Sequence, residues 1–318
     1  MIALDLEHLL FACRERTMLS ILTRFSRPHT IIATSIQVVA LFLIAGGSQV
    51  LSPASLGVVL ITLVSCLALN LYIVGLNQIT DVEIDRINKP RLPLASQELS
   101  MRAGRLLVAA MGVVALVGAA VGGSYLLLTV GVIMVIGTAY SVPPLRLKRS
   151  SLWAALSIAL ARGVIANVGI GLHYNDAFGG LAGFSPMTLA VLGAFFFAFG
   201  IVIAIYKDIP DLMGDRQYGI QTLTVKLGPR GAFQVGRLIL TAGYLGLMAV
   251  AVSGLPSPQS TWMLAAQAVL LGAFWVVSSR VNPAQKASFT RFYMFLWVLF
   301  YAQYVVMSFY QIGGGKAG

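Results

Sequence analysis

The chain has 318 residues, 58% of them hydrophobic and 10% charged, with a mean hydropathy of +0.85 and a formal charge of +11. A soluble domain of this composition would expose a very large apolar surface, so the sequence excludes that class and requires the bilayer as solvent. The excess Lys and Arg is spread over several loops rather than gathered in one stripe, which speaks against nucleic acid as a partner.

Residues 1–26 carry Asp5, Glu7 and Glu15 and lack the basic start and clean apolar core of a secretory signal. They are expected to form a short, amphipathic cytosolic segment. Apolar stretches of at least ~18 residues then predict spans at 27–47, 55–78, 104–121, 124–142, 151–172, 187–206, 233–253, 260–278 and 289–311. The expected fold is therefore all-α, a multi-pass membrane protein with nine transmembrane helices in one domain over residues 1–318. The acidic segments after the second and sixth spans, 130 residues apart from Asp85 to Asp215, point to two four-helix units in parallel pseudo-repeat plus one helix.

The basic residues fix an orientation, because Lys and Arg concentrate in cytoplasmic loops. Arg14, Arg16, Arg24 and Arg27 precede the first span; Arg86, Lys89, Arg91, Arg102 and Arg105 follow the second; Arg146, Lys148 and Arg149 follow the fourth. Lys207, Arg216, Lys226, Arg230 and Arg237 follow the sixth span, and Arg280, Lys286 and Arg291 follow the eighth. The alternate loops at 47–55, 122–124, 173–186 and 254–259 hold none. The N-terminus is thus expected inside and the C-terminus outside, with both acidic segments on the cytosolic side.

Those segments are NQITDVEID (77–85) and KDIPDLMGD (207–215), and they hold six of the 11 acidic residues in the chain. If the second helix runs on into the first motif, Asn77, Asp81 and Asp85 fall within an arc of ~80° and face one point, with Glu83 on the other side. Asp208, Asp211 and Asp215 fall within ~60°, although Pro210 and Gly214 predict a break or a new helix start near residue 209. Carboxylates at this spacing, without His or Cys nearby, suit a hard oxygen-seeking cation, and five of them call for two Mg²⁺ ions bridging a diphosphate. Such a site would stabilise charge growing on a leaving group. Lone carboxylates after a span are ordinarily solvated helix ends, the reading given to Glu83 and Glu98; five clustered ones repel unless a cation joins them.

Arg86, Lys89, Arg91, Arg146, Lys148, Arg149, Lys207 and Arg216 surround the motifs and are candidates for the remaining phosphate oxygens. As loop cations each also serves topology. Arg162 is different: it lies inside the fifth span, where a charge normally faces a polar cavity or an ion-pair partner. Gln37, Asn167 and Gln221 are candidate cavity-lining groups, with interhelical hydrogen bonding favoured for Gln37 and Asn167. Phe195, Phe196, Phe197 and Phe199 invite a role in sheltering a carbocation, but helix packing or lipid contact is the favoured reading. Cys13 and Cys66 form no framework, and His8, His29 and His173 are too dispersed to share a metal.

NxxxDxxxD after the second span and a second Asp-rich segment after the sixth, on nine helices, resemble the UbiA superfamily of membrane prenyltransferases. SRPHT (26–30), YIVGLNQITDVEIDRINKPRLPLAS (72–96), GTAYSVPPLRLKR (137–149) and KDIPDLMGDRQYGIQTLTVKLG (207–228) resemble the homogentisate prenyltransferase branch of the tocopherol pathway, above all its cyanobacterial phytyl-transferring members. The resemblance implies metal and diphosphate binding by Asn77, Asp81, Asp85, Asp208, Asp211 and Asp215, with Tyr140 and Lys148 contributing. Gln78 stands where many other branches have Asp. The implied reaction joins a prenyl diphosphate, phytyl in this branch, to homogentisate with loss of CO₂ and diphosphate. Geranylgeranyl or solanesyl donors, and chlorophyllide or dihydroxynaphthoate acceptors, are the alternatives within the superfamily. An ion-coupled transporter is the alternative of another class, although its carboxylates belong near the midplane rather than at one face. The implied setting is a cyanobacterial plasma or thylakoid membrane, with lipid around the helices.

Overall fold

The computed structural model describes residues 18–46, 52–179, 184–253 and 258–314; most of the N-terminal segment lies outside them. Among the described residues the chain is helical apart from turns, a 3₁₀ turn at Leu147–Arg149 and one isolated β-bridge between Ser150 and Gln221. The helices are α1 (Met18–Ser26), α2 (Pro28–Gly46), α3 (Pro53–Thr80), α4 (Val82–Asn88), α5 (Met101–Gly122) and α6 (Ser124–Ser141). They continue as α7 (Ser151–Ala177), α8 (Pro186–Lys207), α9 (Leu212–Gln217), α10 (Leu223–Ser253), α11 (Pro258–Ser278) and α12 (Lys286–Gly314).

Nine of these, all but α1, α4 and α9, are long and apolar enough to cross a membrane, in the order the hydropathy predicts. The chain is an integral, multi-pass membrane protein. Its helices start where side chains satisfy free backbone donors: Ser52, Ser100 and Ser185 each accept an N–H from three residues on. Pro53 and Pro186 follow two of these caps, where no amide is missed. Leu106, Val121, Leu128, Val135, Leu238 and Val269 are all more than 60% exposed, an apolar exterior that only lipid satisfies.

The largest departure from the predicted ends is α10, which starts ten residues before residue 233. Its first turn is separated from the membrane span by Gly228 (φ 73°, ψ 169°) and Pro229. The polar composition around Lys226 and Arg230 hid this turn from a hydropathy window. Inside the bundle, Phe195, Phe196 and Phe199 are buried against Tyr244, Phe300 and Tyr304, so these rings pack the core. Asn167 Oδ1 accepts from Gln37 Nε2 at 3.2 Å and from Tyr304 Oη at 2.8 Å, tying α2, α7 and α12 together. Gln221 has a different role from the one expected. Its backbone pairs with Arg149 and Ser151, and it joins the loop after α6 to the loop after α9.

The middle of α7, Ala159–Ile165, winds as a π-helix. Gly163 sets this: a Cβ there would lie 2.5 Å from the backbone of Phe196 and Phe197, so α7 and α8 touch main chain to main chain. Asn167 Nδ2 donates to the carbonyl of Gly163 at 2.6 Å, closing the widened turn. Arg162 projects from that turn into the cavity described next.

Candidate active site

One cavity of about 950 Å³ opens among α2, α3, α6, α7, α8 and α12. Both acidic motifs line it. Helix α3 does not run on through the first motif: Asp81 (φ −118°, ψ 15°) ends it and α4 restarts at Val82. Asn77, Asp81 and Asp85 nevertheless all face the cavity, Asp85 buried. Glu83 points outward and sits 2.7 Å from Arg86 at i,i+3. That pair corrects the expectation for Arg86, which is outside the lining because its guanidinium is turned to the exposed Glu83. Gln78 is also turned away from the motif. It is buried and its Nε2 donates to the carbonyl of Phe25 at 2.7 Å, a latch between α1 and α3.

The second motif breaks as Pro210 predicts, α8 ending at Lys207 and α9 starting at Leu212. Asp208, Asp211 and Asp215 are buried and line the same cavity. The two motifs are joined by Asn88, whose Oδ1 accepts from the amide of Gly214 at 3.1 Å. A Cβ on Gly214 would lie 2.5 Å from that side-chain amide, so glycine allows α4 and α9 to approach. From α12, Lys286 Nζ donates to the Asn88 carbonyl at 3.1 Å. Asn88 was legible only as a further position on the Asp81 and Asp85 face; Lys286, 198 residues away, carried no sequence signal.

The four cations come from three places. The loop after α6 brings Arg146 to 3.0 Å and Lys148 to 2.7 Å from the two oxygens of Asp81. Lys148 also donates to Thr80 Oγ1 at 2.9 Å, and Arg146 to the Thr80 carbonyl at 3.2 Å. Lys89 pairs with Asp211 and Lys207 with Asp208. Tyr140 lines the wall beside Lys207 and Asp208. Burial pushes the Asp85 carboxyl up to about 6, with Asp81 and Asp211 adding to the rise against Lys89 and Arg27. Burial, aided by Asp208, pushes Asp215 up to about 7, and burial also raises Asp208. Lys148 is drawn down to about 8 by burial, against the opposing pull of Asp81. At Asp85, Asp208 and Asp215 burial thus outweighs the pull of the neighbouring cations.

Among the described residues no three acidic, His or Cys side chains gather tightly enough to hold an ion as they stand; Asp81 pairs with two cations and Asp208 and Asp211 with one each instead. The donor set still fits a hard divalent cation. It is all carboxylate and amide oxygen, burial raises Asp85, Asp208 and Asp215, and Asp85 Oδ2 is buried without a hydrogen-bond partner.

Residues 33–299 match the family model of the UbiA prenyltransferase family. A homogentisate phytyltransferase of Synechocystis is 45% identical over 293 residues, covering 89% of this chain and 92% of that protein. A homogentisate geranylgeranyltransferase of Triticum aestivum is 36% identical over 294 residues, covering 91% of this chain and 72% of that protein. The fold superposes on a UbiA homolog from Archaeoglobus fulgidus bound to GPP and Mg²⁺ with a TM-score of 0.68 at 18% identity, covering 92% and 100% of the two chains. With a family match over most of its length, nine spans and both acidic segments on one cavity, this chain belongs to the UbiA prenyltransferase family.

Proposed function

We propose that this protein transfers a phytyl group from its diphosphate to homogentisate at the cytosolic end of the bundle, releasing CO₂ and diphosphate. What carries the reading is that two aspartate motifs 130 residues apart in sequence open into one apolar cavity with a basic rim. The 45% identity to a homogentisate phytyltransferase supports both acceptor and donor; relatives that take a geranylgeranyl donor make that tail the alternative.

Asn77, Asp81 and Asp85 on one side, with Asp208, Asp211 and Asp215 on the other, would hold the divalent cations, two Mg²⁺ for this charge count. Bound there, they supply neutralising charge for the departing diphosphate. The chain's own cations do the rest of that work. Lys148, Lys89 and Lys207 line the cavity on the aspartates, where phosphate oxygens would enter between the motifs, while Arg146, outside the lining, braces Asp81. Tyr140 beside Lys207 fixes the ammonium on the cavity side. The apolar wall, with Ile73, Ile133, Ile170 and Ile203 in it, takes the tail and excludes water from the allylic carbon. The C1–O bond breaks to the diphosphate and an aromatic carbon of the acceptor bonds to C1. The ring proton lost on rearomatisation is matched by one taken up at the benzylic carbon as CO₂ leaves.

Incorporation of labelled homogentisate into lipid by purified protein tests this. Product with phytyl diphosphate and Mg²⁺, and none with chelator, is expected; no product from homogentisate with any C20 donor would overturn it. The orientation has its own test. Ser96 and Ser124 are exposed and flank α5, a helix about 33 Å long by its rise. In cells, Ser124→Cys is expected to react with an impermeant maleimide, and Ser96→Cys only after the membrane is opened; the reverse pattern would invert the topology.

A further inference from the structure

Lys89, Arg146, Lys148 and Lys207 pair with motif aspartates, and Arg162 does not. It is 11 positions into α7, about 16 Å along the helix from its cytosolic start. Its guanidinium lines the cavity, and among the described residues no carboxylate pairs with it and no hydrogen bond takes its donors. The contact it makes is with the face of Trp297, 5.5 Å from the ring centroid. Trp297 is 3% exposed and lines the same cavity, with its Nε1 buried and Tyr293 alongside. His29 closes the other side of the indole, with ring centroids 5.1 Å apart. The guanidinium donors of Arg162, unused within the chain, therefore face an apolar cavity. That is a receptor for a small anion, since an unpaired charge away from water is costly without a ligand.

Its position selects the anion. Tyr293 and Trp297 are i,i+4 on α12 and so lie one above the other, about one turn or 5–6 Å apart. Tyr293 is within electrostatic reach of Lys207 and Asp211 at the motifs, and also of Arg162. None of the motif aspartates figures among the charges acting on Arg162. A diphosphate held by the motifs therefore leaves Arg162 one turn deeper, the offset between the two ends of a single aromatic ring.

We propose that Arg162, braced on the face of Trp297, forms the subsite for the acceptor's carboxylate, with the acceptor ring lying along Tyr293 towards the allylic carbon. This rests on the aromatic prenyl-transfer reading above, and gives that reading an acceptor-selecting residue. The π-turn and its bonds from Asn167 and Gln37 to the Arg162 carbonyl are what hold the guanidinium there, at 3.4 Å each.

The experiment compares homogentisate with methylhydroquinone, the same ring without the carboxylate, in wild type, Arg162→Gln and Arg162→Lys. Binding of each acceptor is measured by calorimetry without donor, and KM for acceptor and for phytyl diphosphate in turnover. Loss of a charge-assisted pair is expected to weaken homogentisate binding and raise its KM about 10- to 100-fold in Arg162→Gln, with a smaller rise in Arg162→Lys. Methylhydroquinone binding and the KM for phytyl diphosphate should move less than about threefold, within the range of a surface-type change. A raised KM for phytyl diphosphate with unchanged homogentisate binding would overturn the assignment and give Arg162 to the diphosphate. Equal losses for both acceptors would also overturn it, showing a structural role. If Arg162→Gln does not insert, Arg162→Lys carries the same comparison. A wild-type protein that turns over phytyl diphosphate with some other aromatic acid, but not homogentisate, would refute the function and leave the carboxylate subsite testable with that acid.

Discussion

Replacing Asp81 with alanine is expected to lower prenyl-transfer turnover by at least about a hundredfold, the scale set by losing one group that organises developing charge. Asp81 is where three features of the site meet. It ends α3, it lies on the cavity wall, and its two oxygens are shared by Arg146 at 3.0 Å and Lys148 at 2.7 Å. Without it Lys148 loses the main influence opposing its downward shift, so an ammonium already drawn to about 8 moves further down and is lost as a full charge near neutrality. Asp81→Asn keeps the volume and the helix end but not the charge, and is expected to fail as Asp81→Ala does. Glu83→Ala, two residues on, is the control: Glu83 is exposed and bonded to Arg86 on the outer face, and its loss should change turnover less than twofold, as surface changes of under about 0.5 kcal/mol do. Turnover of labelled donor by detergent-purified protein, with size-exclusion profiles to show intact folding, decides it. Near-normal turnover of Asp81→Ala would remove that residue from the site.

Gly163→Ala is expected to destabilise the protein by about 1–3 kcal/mol, the usual cost of forcing an extra methyl into a packed interior. The contact is with the main chain of Phe196 and Phe197 at 2.5 Å, and backbone cannot rotate aside as a side chain would. The whole α7–α8 seam must open, and the π-turn that carries Arg162 moves with it. Gly131→Ala on α6 adds the same methyl where nothing lies within 4 Å, and should leave stability unchanged or slightly raised by helix propensity. Thermal midpoints of the two variants in one detergent measure the difference. Equal midpoints would mean that the seam is looser than its geometry implies.

Both effects trace to features of different legibility. The nine spans and their order were plain in the sequence because bilayer length and apolar composition constrain a membrane helix directly, so each predicted range has its helix. The acidic motifs were legible for a related reason: carboxylates are so scarce here that six in two short strings stand out. The condition placed on periodicity is not met, since the helix restarts after Asp81, yet Asn77, Asp81 and Asp85 still line one cavity. Arg86 and Gln78 show a limit of sequence position. Each sits next to a motif residue, and each is turned away by a partner of its own, Glu83 for the one and the Phe25 carbonyl for the other. The π-turn, the Asn88–Gly214 contact and the Arg162–Trp297 pairing were not legible, because each is made by segments distant in the chain whose composition alone reads as ordinary helix.

The most direct measurement is a structure with Mn²⁺ and a non-hydrolysable phytyl thiolodiphosphate, read by anomalous scattering. Manganese signal is expected between Asp81 and Asp85 on one wall and Asp208, Asp211 and Asp215 on the other, with Lys148 and Lys207 moved from their aspartates onto phosphate oxygens. Aspartates still paired with those lysines, and metal and diphosphate lodged elsewhere, would contradict the account.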